Sequence, residues 1–320
     1  MVGRSMQDAS VQVSRPRRRA RIATIFHHWA IAMDVLVTGA SGQLGRELAR
    51  TLPPGVAVRF LDRSALDLAA GDIEQRVLAL APQLILNAAA YTAVDRAESE
   101  RELAFAVNGA APGALARAAS RLGARLVHVS TDFVFDGAAS RPYTETHPTS
   151  PLGVYGASKQ EGERQLRAAL PEALILRTAW VYSALGANFV KTMLRLMGSR
   201  DRLSVVADQV GTPTWAQGLA AAVWELGLGT HTGLTLHWTD LGVASWYDFA
   251  VAIQEEALAR GLLDRAVPVE PIRTEDYPTP ACRPAYSVLD KTTTLALLAA
   301  PRQHWRSALR GMLDHLKEQG

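Results

Sequence analysis

The sequence predicts an α/β fold: a doubly wound parallel sheet followed by a smaller C-terminal lobe. Three observations lead there. From Met33 to about residue 180, short β-branched runs alternate with longer Ala- and Leu-rich stretches. Strands that are apolar throughout belong to parallel sheets covered on both faces. A glycine-rich turn, Thr38-Gly39-Ala40-Ser41-Gly42-Gln43-Leu44-Gly45, follows the first run and opens a helix. Beyond residue 180 the rhythm loosens into helices separated by turn-rich pieces.

Taken in order, Val35-Leu36-Val37 is a buried strand and 42–51 a helix. Residues 56–61 form a second strand ending at Asp62, 72–80 a helix and 84–87 a third strand. Residues 99–122 form a long helical stretch with a break at Pro112-Gly113, where proline removes a backbone donor. Residues 125–129 form a strand ending at Ser130-Thr131, 155–169 a helix and 174–177 a strand. Further helices are expected at 188–197, 215–226, 246–260 and 303–317. This divides the chain into a leader at 1–32, a nucleotide-binding core at 33–180, and a substrate lobe at 181–320 with crossings back to the core.

Composition bounds the function. The 320 residues are 48% hydrophobic and 20% charged, the balance of a globular protein with a substantial core. The net charge of +3 comes from the leader, which holds six arginines against Asp8 alone; the body is slightly acidic, at −2, and gives no reason to expect a nucleic-acid partner. The leader is expected to lack fixed structure and to be an upstream extension. No apolar run is long enough to cross a bilayer, so no membrane partner is expected. A single cysteine, Cys282, suits a reducing compartment, the cytoplasm. A homodimer is allowed but not required. No metal site is expected: His27 and His28 lie in the leader, and packing is the expected role of His128 and the other histidines.

The strand–turn–helix around Gly39, Gly42 and Gly45 has the construction of a Rossmann-type dinucleotide site. One glycine permits the turn, one lets backbone N–H groups approach a pyrophosphate, and one lets helix and sheet pack closely. Asp62, at the end of the second strand, can bind ribose hydroxyls and favours NAD, whereas Arg63 can accept a 2′-phosphate and favours NADP. NADPH and NADH both stay open. Asp67 and Leu68 follow, within reach of an adenine. Ala90, Tyr91 and Thr92 end the next strand on the nicotinamide side.

Tyr155 and Lys159 are four residues apart on a helix and share a face. An ammonium beside a phenol favours the phenolate, so Lys159 is expected to make Tyr155 a better acid. Thr131, at a strand end, can bond a substrate carbonyl. Ser130 is the weaker candidate because strand neighbours point to opposite faces.

An ordered set of strings carries a family resemblance. It comprises the turn ending at Gly45, the segment 87–95, Ser130-Thr131-Asp132-Phe133-Val134-Phe135-Asp136-Gly137, the segment 151–159, Arg177-Thr178-Ala179-Trp180-Val181-Tyr182, 208–214, and Arg283-Pro284. Together they resemble the dTDP-4-dehydrorhamnose reductases, of the extended short-chain dehydrogenases, from about Met33 to the C-terminus. The resemblance implies reduction of a dTDP-linked 4-keto sugar, dTDP-4-dehydro-β-L-rhamnose, with NAD(P)H. It implies Tyr155 as proton donor, Lys159 as its activator and Thr131 as carbonyl partner. Gly42, Gln43, Leu44, Asp62, Asp67, Leu68, Ala90, Tyr91 and Thr92 would line the cofactor, and Thr131, Asp132 and Trp180 the sugar nucleotide. Arg283 is expected either to bind the diphosphate, because guanidinium matches phosphate in a two-pronged way, or to form a surface ion pair. Phe133 and Cys282 depart from the usual tyrosine and serine, and neither removes a catalytic group. Another nucleotide-sugar reductase or epimerase remains an alternative, as does a non-catalytic subunit like that of methionine adenosyltransferase.

Overall fold

The computed structural model describes residues 33–319. The leader expected at 1–32 lies outside them. Strand β1 (Asp34–Thr38), helix α1 (Gln43–Arg50), β2 (Ala57–Leu61), α2 (Ile73–Leu80) and β3 (Leu84–Asn87) open the fold. The short helices α3 (Val94–Ala97) and α4 (Arg101–Phe105) lead through a π turn, Ala106–Ala110, into α5 (Ala111–Leu122). Then come β4 (Arg125–Thr131), a 3₁₀ turn (Asp132–Val134), α6 (Val154–Ala169) and β5 (Leu174–Thr178).

The second half contains β6 (Val181–Tyr182), α7 (Phe189–Ser199), β7 (Leu203–Val206), β8 (Val210–Gly211), β9 (Thr214–Trp215) and α8 (Ala216–Leu228). It continues with β10 (Thr235–His237), β11 (Ala244–Ser245), α9 (Trp246–Leu258), β12 (Val269–Ile272), α10 (Thr292–Leu297) and α11 (Trp305–Gln319).

Six strands form one sheet in the order β10-β5-β4-β3-β1-β2, and every neighbouring pair is parallel. The expected doubly wound sheet is thus present. Alternation along each strand sorts its faces. Val35, Val37, Leu84 and Leu86 pack with Leu48 of α1 and Leu219 and Val223 of α8. Leu36, Ile85 and Leu126 face the other way, onto Val77 of α2, Leu115 of α5 and Leu166 of α6. Helix α8 and strand β10 are the crossings back from the second half. A separate cluster, with Tyr182, Met193, Phe249, Ile253 and Leu309, forms the core of the lobe. Chain order reverses between β1 and β3, where open α/β sheets bind ligands beyond their carboxyl ends.

The break in the long helical stretch falls earlier than the sequence suggests. Pro112 directly follows the irregularity in a helix that runs on without a gap, and its missing N–H leaves the Asn108 carbonyl without the usual helical donor. The irregularity is the π turn, which carries Asn108 inward: its side chain accepts from Tyr91 N (2.8 Å) and donates to Tyr91 O (2.9 Å) and Ser158 Oγ (3.1 Å). Helix α6 packs on this turn through Gly162, where a Cβ would lie 2.0 Å from the Asn108 carbonyl oxygen. Gly162→Ala is therefore expected to lower the free energy of unfolding by about 1–3 kcal/mol, the cost of an overpacked contact. Urea denaturation measures it, and an unchanged midpoint would contradict so close a helix approach.

Candidate active site

The phosphate turn is built as its glycines require. Gly39 has φ +74°, and a Cβ there would lie 2.7 Å from the backbone of Ala89. A Cβ on Gly45 would lie 2.2 Å from the Gly39 carbonyl oxygen. Helix α1 starts at Gln43 with Gly42 as N-cap, no side-chain cap and no acidic residue in its first turn. Its first N–H groups and positive end suit a pyrophosphate. Leu44 is buried in the core, and Gln43 accepts from Asn188 Nδ2 at 2.9 Å, tying the turn to the cap of α7.

Asp62 Oδ1 accepts from Ser64 Oγ (2.7 Å), Ser64 N (3.0 Å) and Ala65 N (3.1 Å), bonds that hold the carboxyl below its usual range, Ser64 foremost. Arg63 is well exposed and forms an ion pair with Asp67 one turn on, at 3.6 Å. Leu68 is buried with Leu36 and Ile85. Ala90, Tyr91 and Thr92 continue from the end of β3, and the Tyr91 phenol donates to Glu100 Oε2 at 2.7 Å.

The chemical groups gather at the carboxyl end of β4. Thr131 is buried and its hydroxyl donates to Asp132 Oδ1 at 3.0 Å. The buried hydroxyls of Ser130 and Thr178 have no protein partner. Tyr155 meets the edge of Phe133 at 5.5 Å. Lys159, only 1% exposed, donates from Nζ to the Val129 carbonyl at 2.7 Å and lies 3.3 Å from His128 Nε2.

One expectation is reversed. The Tyr155 phenol is pushed up to about 12, by burial first and also by the Asp132 carboxylate, with the Thr131 hydroxyl opposing. Lys159 does not lower it; burial instead pulls Lys159 down to about 8, with Glu163 opposing. Desolvation is the dominant cause for both groups. A phenol that keeps its proton suits a donor, the role reduction requires.

Arg283 forms an ion pair, the other role open to it. Its guanidinium forks onto Asp95 at 3.0 and 2.8 Å and also bonds Thr279 Oγ1 at 2.6 Å. It clamps the segment carrying Cys282 against α3. Trp180 sits in the left-handed region at φ 47°, rare for a bulky residue, with its indole stacked on Trp246 at 3.5 Å.

Sequence reasoning missed Trp246, Asn108 and the buried Arg177–Glu163 pair, whose two contacts are 3.0 and 2.7 Å. An asparagine inside an Ala-rich helical run was the available signal for Asn108. Among the described residues no group of His, Cys, Asp or Glu is arranged to hold a metal, and no helix is long and apolar enough to cross a membrane.

Residues 33–318 match the family model described as the RmlD substrate binding domain. A dTDP-4-dehydrorhamnose reductase from Aggregatibacter actinomycetemcomitans is 44% identical over 286 residues, 87% of this chain and 97% of that relative. The chain belongs to this reductase family. A crystal structure of a family member from Clostridium acetobutylicum superposes with a TM-score of 0.82 at 40% identity, covering 89% of this chain and 100% of that one. Another, from Bacillus anthracis in complex with NADP, gives 0.81 at 36% identity with the same coverage. A Thermus thermophilus UDP-glucose 4-epimerase, at 21% identity and TM-score 0.74, shares the fold.

Asp132 supplies a test of the site's burial. Burial raises its carboxyl from 3.8 to about 6. The native state then holds a proton that the unfolded chain has released, so stability falls as pH rises from about 4 to about 6. Asp132→Asn should remove this slope and be more stable than the parent at pH 7, by up to about 3 kcal/mol. Urea unfolding at both ends of the window decides it; parallel pH profiles for parent and variant would contradict a buried carboxylate.

Proposed function

We propose that this chain reduces the 4-keto group of dTDP-4-dehydro-β-L-rhamnose, giving dTDP-β-L-rhamnose, with NADPH or NADH. The observation that carries the reading is Tyr155, hydrogen-bonded to Thr131 and sharing α6 with buried Lys159, in a chain alike over nearly its whole length to a dTDP-4-dehydrorhamnose reductase. Neither a sister epimerase nor a non-catalytic subunit gains a supporting feature from the site.

The cradle of Gly39, Gly42 and Gly45, with the Gln43 and Leu44 amides, fits a dinucleotide pyrophosphate. Asp62 serves the adenosine ribose and Arg63 a 2′-phosphate, with Asp67, Leu68, Ala90, Tyr91 and Thr92 along the same path. When bound, the reduced nicotinamide supplies hydride to the sugar's C4. Tyr155 donates the proton that the carbonyl oxygen takes up, and the Thr131 hydroxyl bonds that oxygen as its charge grows. Lys159 supports the phenol from one turn along α6. The Trp180 face, stiffened by Trp246, and the Asp132 carboxyl serve the sugar nucleotide. The exposed free thiol of Cys282 supports a cytoplasmic setting.

Tyr155→Phe should lower turnover of dTDP-4-dehydrorhamnose by about 100-fold or more while NADPH binding persists. The assay is run with NADH and NADPH in parallel; full turnover in the variant would remove Tyr155 as the donor.

A further inference from the structure

Behind Lys159, a line of buried polar side chains crosses three strands, and the reaction described above uses none of them. Thr38 of β1, Asn87 of β3 and His128 of β4 are each at most 1% exposed. Sheet register sets them side by side, Thr38 opposite Asn87 and Asn87 opposite His128. Thr38 Oγ1 donates to Asn87 Oδ1 at 2.7 Å; Asn87 Nδ2 lies 2.8 Å from His128 Nδ1; His128 Nε2 lies 3.3 Å from Lys159 Nζ.

The direction of these bonds is fixed from one end. Asn87 Oδ1 also receives the backbone N–H of Ala89 at 3.2 Å. A backbone N–H only donates, so the oxygen faces it and the amide nitrogen faces His128. An amide nitrogen only donates, so Nδ1 carries the lone pair and the ring proton sits on Nε2, aimed at Lys159. Burial, and then the Lys159 charge, hold His128 well below its usual range, so the ring is neutral. A ring N–H and an ammonium are two donors facing each other. A ring N–H and an uncharged amine make a hydrogen bond. The Val129 carbonyl takes an N–H of Lys159 in either state.

We propose that His128 is a positioning residue for Lys159: locked by Asn87 with its proton on Nε2, it donates to the uncharged amine and disfavours the ammonium, so the lysine sheds its proton more readily than burial alone would make it. The consequence for turnover rests on the reductase reading of Tyr155 and Lys159; the tautomer does not. The other groups facing the amine are few. Glu163, one turn along α6, favours the ammonium and is itself paired with Arg177 of β5. Asp132, beyond β4, acts on Tyr155. The π turn presents uncharged Asn108 to Ser158, and β1 and β3 present uncharged Thr38 and Asn87.

The test is the ring-nitrogen spectrum of histidine-labelled protein without cofactor. His128 is assigned by its loss in His128→Gln. Should that variant not fold, His237→Gln identifies the other buried ring, whose Nδ1 faces the Asp290 carbonyl at 3.1 Å and so carries the proton in the opposite arrangement. The expected result is a neutral His128 with its proton on Nε2 from about pH 5 to about pH 9. A proton on Nδ1, or a charged ring in that range, overturns the proposal. Asn87→Asp supplies the functional arm, because a carboxylate accepts from Nδ1–H and turns Nε2 into an acceptor. The alkaline limb of kcat/KM should then move up by about one pH unit or more. A flipped tautomer with an unmoved limb overturns the effect on Lys159. Absence of turnover in the parent, with the expected spectrum, would instead count against the reductase reading alone.

Discussion

Placing an amine in the middle of the fold constrains everything around it. Lys159 is buried between α6 and the sheet, and a buried charge or donor is costly unless it is bonded. The Val129 carbonyl and the His128 ring are its partners, so α6 must lie within hydrogen-bonding reach of β4. That closeness is possible because Gly162 has no side chain where the helix meets the Asn108 carbonyl. The π turn in turn exists where Asn108 is drawn onto the Tyr91 backbone. Once α6 and β4 are fixed to each other, Tyr155 at the start of one and Thr131 at the end of the other are fixed as well.

The same economy joins the cofactor side to the lobe. Helix α1 begins at the glycine turn and sends Gln43 to Asn188, the cap of α7. One turn along, the fully buried Glu47 accepts from Ser183 Oγ at 2.6 Å and from Arg50 Nε at 2.8 Å. Trp224 of α8 donates to the Leu48 carbonyl at 3.1 Å. The helix that opens at the glycine turn is therefore also the one to which Ser183, Asn188 and Trp224 are tied.

Much of this was legible in the sequence, and the limits have physical causes. The main strands declare themselves because both faces are buried, so runs such as Val35-Leu36-Val37 are apolar throughout. The two-residue strands β6, β8, β9 and β11 are too short to show any period. Tyr155, Lys159 and Thr131 could be singled out because they lie in motifs of fixed spacing. The direction of the Tyr155 shift could not, because spacing reports neighbours and not burial. The partner of Arg283 was hidden for a similar reason: Asp95 is 188 residues away along the chain and only the fold brings them together. His128 read as a packing residue, and its polar line became visible only once register aligned three strands.

The account stands or falls on where the Tyr155 oxygen lies relative to the reacting carbon. A crystal structure with oxidised NADP and dTDP-β-L-rhamnose measures this directly. The Tyr155 oxygen should stand about 2.6–3.2 Å from the sugar's O4, with Thr131 bonded to the same atom and the nicotinamide over C4. A sugar bound with its O4 turned away from Tyr155, or a nicotinamide on another face of the protein, would contradict it.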